Sequence, residues 1–408
     1  MKRFISFIYI IICISIIFFG FNIMRSNYNR GEKYMSVQVV DSEKNNVIKE
    51  IKSEGKIFIM KGEAGFSNGD FENTELSNNV ITLSKSESNY EDSGLYISNV
   101  IDVDDFTNLI VSWNADTPEK TYVEIEARVL VEDRLNKSLN GEWSEWLSWG
   151  KWGTGIERSS SNTSCDIAKI NTDVLTINEK ENKIASKFQI RANLYTESED
   201  VTPTITELTA SYIDVNKSIE TFNEKRYLKG YDKLIDTPSI SQYLREESIA
   251  ARICSPTSLT MILNRMGENL IVEDVAWKCY DYEYEGFGNW TFNTAYAGKL
   301  GYESYVAYGD IELLKREIDN GYPVAVSVKY TNDINNKKYP YIENAPTTTA
   351  GHLIVVCGIT SNDEGEIYIV VNDPAGKDDE SVTRKYKLEE FMAAWGTSNN
   401  AMYVINKR

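Results

Sequence analysis

Between Glu63 and Val215 apolar residues recur at every second position in short runs, and this period of two is the strongest constraint on the fold. The runs include Val80-Ile81-Thr82-Leu83, Leu109-Ile110-Val111-Ser112-Trp113, Tyr122 to Val129 and Lys187 to Ala192. Successive strand side chains point to opposite faces, so such runs predict strands with one buried face. Asn, Asp, Gly and Ser separate them, and no helical period interrupts the series. An antiparallel β-sandwich is the expected architecture. Trp143, Trp146, Trp149 and Trp152 fall at intervals of three, which fits neither a regular strand nor a long helix. Two readings stand for them. The rings either stack on sugar faces, making the sandwich a glycan-binding module, or pack its core and edge.

The pattern changes near residue 236. Lys217 to Ile235 is a charged connector, and Thr237-Pro238 opens a region of mixed period. Pro256 to Met266 predicts a helix, with proline in its first turn, Leu259, Ile262, Leu263 and Met266 on one face, and Gly267 as a stop. A second helix is expected over Asp310 to Asp319. Pro323 to Val328, His352 to Ile359 and Ile367 to Val371 are near-continuous apolar runs, as strands of a covered sheet should be. This region is read as α+β.

At its start the chain carries Lys2-Arg3 and then twenty-one uncharged residues, Phe4 to Met24, followed by Arg25 and Arg30. That length spans a bilayer as a helix. No small-x-small cleavage site stands out, so an uncleaved membrane anchor is preferred to a signal peptide, with the remainder exported. The expected organisation is an anchor or signal over 1–24, a polar tether over 25–62, a β-sandwich over 63–215, a linker over 216–236 and an α+β domain over 237–408. The predicted location is extracytoplasmic, membrane-anchored or secreted.

Lys and Arg number 43 against 61 Asp and Glu, a formal net charge of −18. That balance excludes a nucleic-acid partner, which needs a basic footprint. The five cysteines are too few and too scattered for a disulfide framework, and no CxxC pair occurs. With a single histidine, a zinc cluster is not expected, and neither a metal nor another cofactor is assigned.

The chemistry centres on Ile253-Cys254-Ser255-Pro256-Thr257-Ser258-Leu259. A cysteine opening a helix meets the positive end of the helix dipole and free amides, both of which favour thiolate. A thiolate nucleophile needs an imidazole to form an ion pair and later to protonate the leaving group. His352 is the only histidine in the chain. The imidazole needs an acceptor to fix its tautomer, and Asp373, in Asn372-Asp373-Pro374 at the end of the next strand, has that position. The oxyanion needs donors. The Cys254 amide is one, and the side chain of Gln242, twelve residues upstream, is the candidate for the other. Cys279 follows a predicted helix and Cys357 lies inside a strand, so neither gains a helix N-terminus. Tyr280, Tyr282, Tyr284, Phe287 and Trp290 either line a cleft wall or pack beneath it.

Ser241-Gln242, Cys254 to Leu259, Gly288-Asn289-Trp290-Thr291-Phe292-Asn293-Thr294-Ala295, Gly321-Tyr322-Pro323-Val324, Gly351-His352 and Val371-Asn372-Asp373-Pro374 together resemble a C39-like cysteine peptidase domain. The resemblance covers 237–408 and implies a papain-like fold, with Cys254 as nucleophile, His352 as base, Asp373 orienting it and Gln242 as oxyanion donor. Ser255 departs from the pattern, because glycine is common after the nucleophile. The gap from Gln242 to Cys254 is also longer than in typical papain-like sites. The function expected is an exported or membrane-tethered cysteine peptidase acting on a peptide or protein, cell-wall associated or not, through an acyl-thioester. An acyltransferase or amidase with the same triad, and a non-catalytic surface protein binding glycan or protein, are the alternatives.

Overall fold

A computed structural model describes residues 35–40, 48–51, 55–135, 137, 141–178, 182–217 and 222–408. The predicted anchor over 1–24 lies outside the described residues, and among these no helix is long and apolar enough to cross a membrane.

The amino-terminal region is strand-rich, as its period of two requires. One sheet runs Ala168–Asn171, Val174–Ile177, Asn108–Asp116, Thr204–Ile213 and Lys56–Lys61, and continues through Met35–Val40 to Ile48–Ile51. A second contains Thr121–Asp133, Lys183–Thr196, Ser93–Ile97 and Asp70–Glu72, flanked by shorter strands. Their inner faces share one core. Val123, Ile125, Ala127 and Val129 from the second sheet pack with Leu109, Val111, Trp113 and Leu208 of the first. The alternate residues Glu124, Glu126 and Arg128 point away from it, which is why the sequence alternates.

The tryptophan series divides between these two environments. Trp149 and Trp152 are buried in the core. Trp143 and Trp146 lie outside it and both contact the Arg128 guanidinium, at 5.0 and 4.8 Å from the ring centroids. Arg191 sits 4.5 Å from the Trp146 centroid. Guanidinium groups therefore occupy ring surface that a sugar would need.

The carboxy-terminal region is built on an antiparallel sheet in the order Glu303–Tyr308, Ala401–Asn406, Val324–Tyr330, Thr349–Ser361, Ile367–Asn372 and Thr383–Lys387, with Lys233–Leu234 also on Thr349–Ser361. Both faces are covered, which explains the unbroken apolar runs. Leu353 and Val355 pack with Leu259 and Ile262 of the helix Cys254–Arg265. Ile354 and Val356 pack on the opposite side with Leu313 and Leu314 of Ile311–Asp319 and with Phe391 and Trp395 of Leu388–Gly396.

The two regions are fused through the helix Trp290–Lys299, which was not expected from the sequence. Phe292 and Ala295 of this helix belong to the sandwich core. The Phe292 ring lies 6.2 Å from Trp113 and 5.3 Å from Trp152. Gly298 permits the approach, because a Cβ there would stand 2.1 Å from Asn114 Oδ1. Sandwich hydroxyls complete the join. Ser112 Oγ accepts from the Val306 N–H at 3.0 Å, and Ser211 Oγ from the Tyr308 N–H at 2.9 Å. At the tip of the hairpin formed by Ala168–Asn171 and Val174–Ile177, Asp173 Oδ2 accepts from the Trp290 N–H at 2.9 Å. The Trp149 indole fixes that tip by donating to the Asp173 carbonyl.

Two outcomes follow. Phe292→Ala should destabilise the protein by about 3–5 kcal/mol, as truncation of a buried phenylalanine does. Urea unfolding followed by circular dichroism should show it in one transition common to both regions. Asp173 is only 8% exposed, and burial pushes its carboxyl up to about 7, the Trp290 N–H opposing the rise and the Asp281 charge adding to it. A carboxyl raised in this way contributes its full stability only below the unfolded value of about 3.9 and loses it as pH rises through 7. Asp173→Asn, which keeps an acceptor for Trp290, should therefore flatten the decline in stability measured between pH 4 and 8.

Candidate active site

Cys254 is the first residue of its helix, and Ile253 before it offers no side-chain cap. Pro256, in the first turn, forfeits no hydrogen bond there. The first amides are thus free to face the sulfur. His352 is on the central strand Thr349–Ser361, opposite Val328. Ser258 of the helix donates to the Leu353 carbonyl at 3.1 Å and ties nucleophile helix to histidine strand. Asp373 follows the last residue of the strand Ile367–Asn372, the direct neighbour of the histidine strand.

These placements bring three side chains into line. His352 Nε2 and Asp373 Oδ1 are 2.7 Å apart, with His352 5% exposed and Asp373 fully buried. The imidazole also hydrogen-bonds the Cys254 thiol, and with Nε2 committed to Asp373, Nδ1 is the nitrogen that serves it. The carboxylate is saturated with donors. Ala375 N–H shares Oδ1 at 3.0 Å, and the phenols of Tyr330 and Tyr386 each donate to Oδ2 at 2.7 Å. The Tyr330 ring also meets the imidazole edge-to-face, 5.9 Å between centroids.

Each group's proton affinity follows from these contacts. Burial alone raises Asp373, but the His352 charge and hydrogen bond and the two phenols together hold it below the usual carboxylate range. Burial alone lowers His352, yet Asp373 and then Cys254 raise it to about 10. For Cys254 burial again opposes ionisation. The His352 hydrogen bond and charge, with the N–H groups of Leu353 and Ser255, bring the thiol below its ordinary value. The rival cysteines differ. Burial pushes the Cys357 thiol up to about 12 and raises Cys279 further, leaving both protonated at neutral pH.

Gln242 stands apart from the line of three. It is 3% exposed in the turn Gln242–Leu244, where its N–H donates to the Pro374 carbonyl at 2.9 Å and its Nε2 to the Ala250 carbonyl at 2.8 Å. One N–H of the amide is thereby used, and Gln242 does not line the cleft that contains Cys254. Ser255 has a partner that glycine would lack, a 2.8 Å hydrogen bond to the Tyr403 hydroxyl. Tyr284, Phe287 and Trp290 reach the cleft, whereas Tyr280 packs between Trp277 and Phe287. Among the described residues no group of acidic, histidine or cysteine side chains is placed to hold a metal. Tyr330 and Tyr386 were not singled out in the sequence. In a chain with 25 tyrosines, the only signal was a phenol ending an apolar strand.

A helix-opening thiol beside a carboxylate-anchored imidazole has the arrangement of a thiol acyl-transfer site. Residues 234–403 match the Peptidase C39 like family, and residues 60–212 match the Peptidase C39 N-terminal domain. The chain is thus a C39-like cysteine peptidase preceded by a C39 N-terminal domain. No curated protein matches it. Among solved structures it is similar to a double glycine motif protease from an AMS/PCAT transporter in complex with the leader peptide, with 17% identity, a TM-score of 0.29 and coverage of 43% of this chain and 95% of that one. It is also similar to the peptidase domain of Streptococcus ComA, a bi-functional ABC transporter involved in quorum sensing, with 20% identity, a TM-score of 0.28 and coverage of 43% and 98%.

The ion pair sets a pH signature. A free thiol loses thiolate about tenfold per pH unit below its pKa of about 8.5. Cys254 alkylation by iodoacetamide, read by mass spectrometry, should instead extend to lower pH than that of a free thiol, because the thiol is lowered while His352 stays protonated up to about 10. His352→Ala should return it to the ordinary thiol profile.

Proposed function

We propose that this protein is an extracytoplasmic cysteine peptidase, membrane-tethered or secreted, that hydrolyses peptide bonds through an acyl-thioester in a papain-like site. The observation that carries this reading is the hydrogen-bonded line Cys254, His352, Asp373. The Cys254 thiolate attacks the scissile carbonyl carbon. The tetrahedral oxyanion takes a hydrogen bond from the Cys254 amide. The His352 imidazolium gives its Nδ1 proton to the leaving amine as the C–N bond breaks, and neutral His352 then draws a proton from the water that cleaves the thioester. Asp373 keeps its proton-free form throughout and holds the ring in the productive orientation. The apolar segment Phe4 to Met24 supports the location.

Cys254→Ala should abolish cleavage of a peptide library by the full chain. Full activity in Cys254→Ala would end this assignment.

A further inference from the structure

The cleft that contains Cys254 and His352 has a volume of about 1080 Å³, and one of its walls is not part of the peptidase domain. That wall is the hairpin of Ala168–Asn171 and Val174–Ile177. Ala168, Ile170, Leu175 and Ile177 face the sandwich core, so Lys169, Asn171, Val174 and Thr176 are left on the opposite face by the period of two. The wall is held firmly. Asp173 at the hairpin tip is bonded to Trp290, and Thr172 beside it has a left-handed backbone, φ 58°. A β-branched residue adopts that conformation only where its surroundings impose it.

Charge within the cleft runs against that of the whole chain. The lining includes three cations, Lys169 from the hairpin with Arg252 and Lys329 from the peptidase side. Its carboxylates are Glu285 and the buried Asp173, the latter engaged at Trp290. No ion pair engages Lys169 or Lys329 among the described residues. A cationic cleft in a protein of net charge −18 repels little within itself and focuses anions toward the thiolate's mouth.

We propose that the amino-terminal domain forms part of the substrate site, and that Lys169 together with Lys329 selects acidic peptide segments for presentation to Cys254. This assignment rests on Cys254 being the nucleophile. An extended peptide suits it better than a compact ligand. The cleft is long and open, lined from the hairpin on one side to Ser398 and Asn399 on the other, and its lining is polar on the hairpin side.

The test measures protection of Cys254 in the full chain from iodoacetamide, read by mass spectrometry, with short Glu-rich or Lys-rich peptides as protectants. Half-protection should need about tenfold less of the Glu-rich peptide, and each of Lys169→Glu and Lys329→Glu should shrink that ratio about threefold, the effect of one exposed ion pair. Lys169→Met serves if the charge reversal does not fold, and raising the salt should narrow the ratio in the wild type. A ratio near one in the wild type, or one unmoved by both substitutions, overturns the proposal. Protection by polyphosphate but not by Glu-rich peptide overturns the peptide assignment. Failure of the nucleophile reading looks different, because Cys254 would then be alkylated at the rate and pH profile of a free thiol whether or not His352 is present.

Discussion

The buried pair of Asp373 and His352 is the interaction on which the site depends. A carboxylate taken fully out of water is tolerable only if every lone pair is used. Here four donors use them: the imidazole, two phenols and a backbone amide. The same saturation keeps Asp373 ionised, and an ionised Asp373 keeps His352 protonated beside the thiol. The proton affinity of the Cys254 thiol is therefore lowered largely at second hand, by a carboxylate it does not touch. The helix N-terminus adds the Ser255 amide, and the histidine strand adds that of Leu353.

Three consecutive residues distribute this control. Asn372 donates to the carbonyls of Thr237 and Pro238, anchoring the segment that leads to Gln242. Asp373 anchors the histidine, and the Pro374 carbonyl accepts from Gln242. A turn that reads in sequence as a strand ending is thus the point where the entering chain, the base and the expected oxyanion donor are fastened together. Tyr330 and Tyr386 arrive from the neighbouring strands Val324–Tyr330 and Thr383–Lys387, so the sheet itself delivers the remaining donors.

The sandwich is no loosely tethered companion. Its core takes in Phe292 and Ala295, and its serines bond the first strand of the peptidase sheet. Packing at interior density does not allow such a junction to slide. That rigidity is what lets a hairpin of one domain serve as a wall of the cleft in the other. It also separates the tryptophans into two populations, Trp149 and Trp152 in the core and Trp143 and Trp146 against arginines outside it.

Much was legible from local pattern. The alternation in Tyr122 to Val129 and the apolar face of Pro256 to Met266 depend on neighbours along the chain, so the strand Thr121–Asp133 and the helix Cys254–Arg265 could be read directly. Cys254, as the residue opening that helix, and His352, as the lone histidine, were legible for the same reason. The helix Trp290–Lys299 was not, because it is buried almost all round and shows no apolar stripe. The phenols that hold Asp373 and the lysines that share one cleft come from strands far apart in sequence. Their meeting is set by sheet order and by domain packing, which no local period encodes. By itself the sequence determined that a cysteine opens a helix and that one histidine stands on a covered strand. Only the tertiary structure decided what keeps Asp373 charged, and which domain faces the thiol across the cleft.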